Sequence, residues 1–208
     1  CLLHRRVAEA IEAQYPQDLD RHLVALGLHC CEGELWDKAV GYLRRAGLKA
    51  AERSAHREAA ASFEKALVAL RHLPELPDTL QHAVDIRLEL RSSLNPLGDM
   101  TRLHEHLREA EALATKLGDH RRLGQIAAFM TQTFAVMGDH GAAAQSGQRA
   151  LEIATDLGDL TLRVFANYFL HQSCYFSGDY RRAIDGLQWN IAALEGELQH
   201  ELFGSSTY

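Results

Sequence analysis

From Leu2 to Ala13 the chain is already amphipathic, with no capping residue ahead of it, and helical periodicity recurs along most of the sequence. The pattern is cut at even intervals by Gly-Asp dipeptides beginning at residues 98, 118, 138, 158 and 178, each 20 residues after the last. Gly accepts the left-handed conformation that closes a helix, and the Asp after it can cap the next one, so each dipeptide is a stop and a start. The spacing predicts helices over 100–117, 120–137, 140–157, 160–177 and 180–199. Upstream, Asp78 opens a helix over 79–95 that stops at Asn95-Pro96-Leu97-Gly98, since the residue before proline avoids helical angles. Further back, helices are expected over 2–14, 19–32, 35–52 and 55–73, with Pro16 and Gly33 as breaks.

Two 20-residue units make one 40-residue hairpin, and ten helices make five. The expected fold is therefore all-α, a right-handed superhelical solenoid of about ten antiparallel helices. The phase slips once, by four residues, at Leu73-Pro74-Glu75-Leu76-Pro77. This divides the array into hairpins over 1–73, a stiff proline linker at 74–78, three hairpins over 79–199 and a non-periodic tail at 200–208. All of it is expected to form one continuous domain. The opening residue is Cys1 and the first helix is uncapped, so the chain is expected to be a piece of a longer polypeptide.

The second hairpin carries a recognisable wording. Gly47 stands twelve residues before Ala59, and Ala59-x3-Phe63 followed by Ala66 matches the second helix of a tetratricopeptide repeat, which this region resembles. The same frame puts Leu103, Ala143 and Ala183 at the first alanine position, and Ala110, Ala150 and Asn190 at the second. The small crossing position of the first helix becomes Arg91, Thr131 and His171, and the period is 40 rather than 34. Arg91 cannot enter a tight crossing, so either the helices separate there or the frame is shifted. The strings GELWDKAVGYLRRAG, SAHREAAASFEKAL, DIRLELRSSLNPLGD and EAEALATKLGDHRRLGQIA are similar to the C-terminal repeats of large bacterial signalling proteins. In those proteins a class III adenylate or guanylate cyclase-like domain and a STAND-like AAA-type ATPase precede the repeats. None of that family's catalytic residues maps onto this segment, and there is no phosphate-binding G-x-x-x-x-G-K-[ST] loop.

A formal net charge of −6 and a pI near 6.0 argue against a nucleic-acid footprint, which needs a clustered cationic surface. The pairs Arg5/Arg6, Arg44/Arg45, Arg121/Arg122 and Arg181/Arg182 are scattered and read as solvated helix surface. Cys1, Cys30, Cys31 and Cys174 form no C-x-x-C and no regular framework, so a reducing, cytoplasmic setting is expected, with no membrane span.

Candidate metal sites are weak. His104 and His106 point about 200° apart on a helix, Asp18 and His22 lack a third ligand, and His29-Cys30-Cys31 diverge by about 100° per residue. His120 and His140 follow successive turns and lie on opposite edges. No Ser or Cys stands in a strained nucleophile turn, and no catalytic residue, cofactor or metal is expected.

The one enriched stretch is Phe165, Tyr168, Phe169, Tyr175 and Phe176. Ala166, Leu170 and Cys174 are expected to face the partner helix, leaving Phe165, Tyr168, Gln172 and Tyr175 on the concave groove, or covered as core by a further hairpin or subunit. Equivalent groove positions are Arg44, Leu88, Ser92, Gln125, Ala128 and Gln132. Only one is charged, which excludes a cationic clamp and points to an apolar or mixed ligand. The expectation is thus a non-catalytic scaffold for a protein or peptide partner, or for the ATPase or cyclase domains of its own polypeptide. An inducer-sensing domain of a STAND-type ATPase is the alternative, and exposed end hairpins allow a homodimer.

Overall fold

The protein is described by a computed structural model over residues 1–194. These are all-α, with no strand among them: α1 Leu2–Gln14, α2 Leu23–Glu32, α3 Trp36–Glu52, α4 His56–Leu70, α5 Pro77–Leu97, α6 Met100–Leu117, α7 His120–Met137, α8 His140–Leu157, α9 Leu160–Phe176 and α10 Tyr180–Ala193. No helix among them is long and apolar enough to cross a membrane. The rest of the span expected to reach 199, and the tail at 200–208, lie outside the described residues.

The turns explain why these residues form these elements. Gly98, Gly118, Gly138, Gly158 and Gly178 all have positive φ, between 63° and 83°. In each turn the Gly amide donates to the carbonyl three residues back and the following Asp amide donates to the one five back, as Asp119 does to Ala114 at 3.0 Å. This is a Schellman closure, and it satisfies the last carbonyls of the helix. The same Asp then starts the next helix: the Asp119, Asp139, Asp159 and Asp179 carboxylates accept from the amides of Arg122, Ala142, Leu162 and Arg182. Burial pulls the Asp119 and Asp159 carboxyls up, but the capping amides and neighbouring arginines outweigh it and hold both below the usual range. Their stabilisation is present above the ordinary aspartate pKa of about 3.9 and is lost as pH falls through the depressed folded values.

The comb extends further back than its dipeptides. Glu34 and Ser54, also 20 residues apart, have φ of 56° and 57°, and the following amides, Leu35 and Ala55, close onto Cys30 and Ala50 at 2.8 Å. These are the same closures made by residues that pay a steric penalty for them. Glu34→Gly and Ser54→Gly should each stabilise the protein by about 0.5–1 kcal/mol, read as a rise in thermal midpoint, whereas Gly118→Ala should lower it. Gly33, read from sequence as the break, is not left-handed. It gives room to Arg5 of α1, whose Nε donates to the Gly33 carbonyl at 2.5 Å.

Four boundaries differ from expectation by two residues or more, the simplest being α4, which ends at Leu70 rather than 73. Residues Leu19–Arg21 form a 3-10 turn and α2 starts only at Leu23; the turn presents Asp20 to Arg45, at 2.9 Å, and to Lys49 on α3. Helix α5 begins at Pro77, its first-turn position, where Thr79 Oγ1 accepts from the Leu76 amide and donates to the Pro74 carbonyl. It also runs through Pro96 to Leu97, because a proline in the last turn forfeits one donor and Gly98 still closes the end.

The described chain divides into two compact units, Cys1–Asp99 and the part from Met100 onward. Each is a solenoid-like run in which helices pack on their sequence neighbours, and α7 also packs on α9. The positions that the repeat frame marks as small or apolar, Ala59, Phe63, Ala66, Leu103, Ala110, Ala143, Ala150, Ala183 and Asn190, are all buried. So are Ala166, Leu170 and Cys174, as expected for the packed face of α9.

The crossings resolve the size departures. A Cβ on Gly47 would lie 2.7 Å from the Phe63 ring, so the first helix of that hairpin supplies the hole and the second the knob. Between α7 and α8 the arrangement reverses: Thr131 is fully buried and faces Gly147. Between α9 and α10 the His171 imidazole occupies the space that a Cβ on Gly186 would need. Close approach is kept while the small residue changes helix. Arg91 is half-buried on α5, where burial pushes its guanidinium down to about 10.

Candidate binding faces on the helix hairpins

Helix α9 separates three rows of side chains. Its packed row enters the core. A second row is Phe165, Tyr168, Gln172 and Tyr175, and a third, Arg163, Asn167 and His171, is turned about 120° from the second.

In the second row, Phe165 is half-buried and joins a ring cluster, edge-on to Phe129 of α7 at 5.1 Å and to Phe169 at 4.7 Å. It anchors α9 on α7. Tyr168 and Tyr175 are 45% and 59% exposed, so they are surface residues in the described chain. The Tyr168 hydroxyl accepts from Gln172 Nε2 at 3.1 Å, and Tyr175 meets the rings of Phe176 and Tyr180, both also exposed. Gln125 and Gln132 of α7 are half-buried.

Arg44 and Ser92 belong to the first unit. Arg44 of α3 grips Glu89 of α5 with two nitrogens, Nε at 3.0 and 3.1 Å from the two carboxylate oxygens and a second nitrogen at 2.5 Å. Its charge is consumed within the scaffold. Ser92 Oγ donates to the Glu89 carbonyl of its own helix at 2.7 Å. Among the other paired arginines, Arg122 reaches Asp119 at 2.5 Å and Arg121 reaches Asp159 at 2.8 Å while staying largely exposed, and Arg6 and Arg181 lie on the exposed helix surface as expected.

The third row forms one wall of a groove of about 790 Å3 between α8, α9 and α10. Glu152 and Asp156 line it from α8, Arg163, Asn167 and His171 from α9, and Asp185 and Trp189 from α10. Each helix contributes residues four apart, which stack on one face. The floor is rigid: Asn167 Nδ2 donates to the Gly186 carbonyl at 2.6 Å and to Asn190 Oδ1 at 2.9 Å, while Asn190 Nδ2 donates to the Val164 carbonyl at 3.0 Å. The sequence signal for this groove was the pair Asp185 and Trp189 one turn apart, opposite Glu152 and Asp156 with the same spacing.

The weak metal candidates acquire ordinary packing roles. The His104 ring meets Phe134 at a tilt, centroids 4.9 Å apart, and His29 Nδ1 lies 2.8 Å from His4 Nδ1 of α1. Burial pushes the Cys30 thiol up to about 11, so it remains protonated and apolar in the core. Among the described residues no three His, Cys, Asp or Glu side chains are grouped to hold a metal ion.

The fold thus defines an all-helical protein of stacked hairpins. No family model matches the chain, and no curated protein matches it.

Proposed function

We propose that this chain is a non-catalytic, tetratricopeptide-like scaffold that binds a protein or peptide partner along the second row of α9. The observation that carries the reading is the exposure of Tyr168 and Tyr175, with Gln172 between them, on a helix whose neighbouring Phe165 is fixed in the ring cluster. Rigid aromatic rings with a polar tip contribute large contact area at small entropic cost, and such anchors dominate recognition surfaces. The ligand is apolar or mixed rather than an acidic tail, because the row itself, Phe165, Tyr168, Gln172 and Tyr175, carries no charged residue. The similarity of the repeat wording to bacterial cyclase and ATPase fusions supports a regulatory repeat region in a cytoplasmic signalling protein, whose partner includes the catalytic domains of the same polypeptide.

Panning a short-peptide library on the immobilised chain should enrich aromatic or aliphatic peptides. The double variant Tyr168→Ala/Tyr175→Ala should bind the selected peptides about thirtyfold more weakly or worse. Failure to enrich any apolar peptide, or equal binding by the variant, would contradict the proposal.

A further inference from the structure

We infer that the groove between α8, α9 and α10 is a second docking site, and that its occupant is an arginine-bearing segment of a partner protein. The wall already shows which chemistry it accepts: the Arg163 guanidinium lies over the Trp189 ring, 4.3 Å from its centroid. An indole face favours a planar cation, and arginine stacks on it better than the compact lysine ammonium does.

The charges around this seat are not balanced. Three carboxylates, Glu152, Asp156 and Asp185, face one guanidinium. Glu152 accepts an amide bond from Gln148 at 3.1 Å, and no cation of the described residues pairs with Asp156 or Asp185. A comparable groove of about 650 Å3 in the first unit is closer to charge balance: four carboxylates, Asp18, Asp20, Glu52 and Glu58, line it together with Arg21, Lys49 and Arg53. There Asp18 pairs with Arg21 at 3.2 Å and Asp20 pairs with Lys49. Two other carboxylates of this unit are matched, Glu111 by Arg149 and Asp159 by Arg121. The second-unit groove therefore carries negative charge that the scaffold does not compensate, beside an aromatic face suited to guanidinium. An incoming arginine stacks at Trp189, alongside or in place of Arg163, with its fork towards Asp185 and Asp156.

This site is independent of the Tyr168 and Tyr175 row, and its test separates the two. Acetylated hexa-arginine is titrated into the protein at physiological salt while the Trp189 emission is followed, identified as the component lost in Trp189→Phe. A saturable change is expected. Asp156→Asn/Asp185→Asn should weaken it at least tenfold, hexa-lysine should bind less tightly than hexa-arginine, and Tyr168→Ala/Tyr175→Ala should leave it unchanged. The control variant Glu52→Gln/Glu58→Gln removes two charges from the first-unit groove. If it weakens binding as much as the Asp variant does, the peptide reads only net charge and the site is refuted. No saturable change refutes it too. The substituted aspartates are exposed, so an unaltered melting curve confirms that the variants remain folded.

Discussion

Gly47→Ala should cost about 1–2 kcal/mol net, although alanine is the better helix former. The added methyl would sit 2.7 Å from the Phe63 ring, and Phe63 is fully buried with nowhere to swing. Overpacking a crossing of this kind costs on the order of 1–3 kcal/mol, outweighing the helix-propensity gain of about 1 kcal/mol only when relaxation is blocked. The cost should fall when Phe63→Leu is added, giving a favourable coupling of at least about 1 kcal/mol in a denaturant-melt double-mutant cycle. Additive costs would mean that the two helices do not meet through this pair.

Asn167→Ala should lower stability by about 2–3 kcal/mol. Asn167 is buried and makes the polar bridge from α9 to α10, to the Gly186 carbonyl and to Asn190 Oδ1. Its removal strands a buried acceptor and opens a small void, and an unsatisfied buried group costs about 1–3 kcal/mol. Asn167→Ala/Asn190→Ala should cost less than the sum of the single variants, because removing both partners leaves no orphan. Equilibrium unfolding followed by circular dichroism reads both; a change under 0.5 kcal/mol for Asn167→Ala would show that the bridge does not bind α10 to α9.

What the sequence makes legible follows from where the physics is local. A Gly-Asp turn is legible because one residue supplies the left-handed angle and the next supplies the cap, both within two positions. At Glu34 and Ser54 the helix breaks are legible but the left-handed closures are not, because nothing in Glu or Ser advertises positive φ. The small residue at a helix crossing is legible only where it stays on the expected helix. His171 reads as a violation until Gly186 is seen to accommodate it, since size matching is a property of pairs. Arg44 reads as a groove charge because its partner, Glu89, lies on another helix 45 residues away. The aromatic row of α9 divides for the same reason: Phe165 finds Phe129 on α7, whereas Tyr168 and Tyr175 keep much of their surface exposed. The groove at Trp189 needs three helices at once, and no single segment displays it.

The central claim is that the α9 tyrosines serve recognition rather than packing. Its most direct test is the thermal midpoint of Tyr168→Ala/Tyr175→Ala, measured beside its affinity for a peptide selected on the wild type. A midpoint within about 2 °C of wild type with binding lost is the predicted result. A fall of about 8 °C or more, with residual binding tracking the folded fraction, would show that the two rings are core and contradict the account.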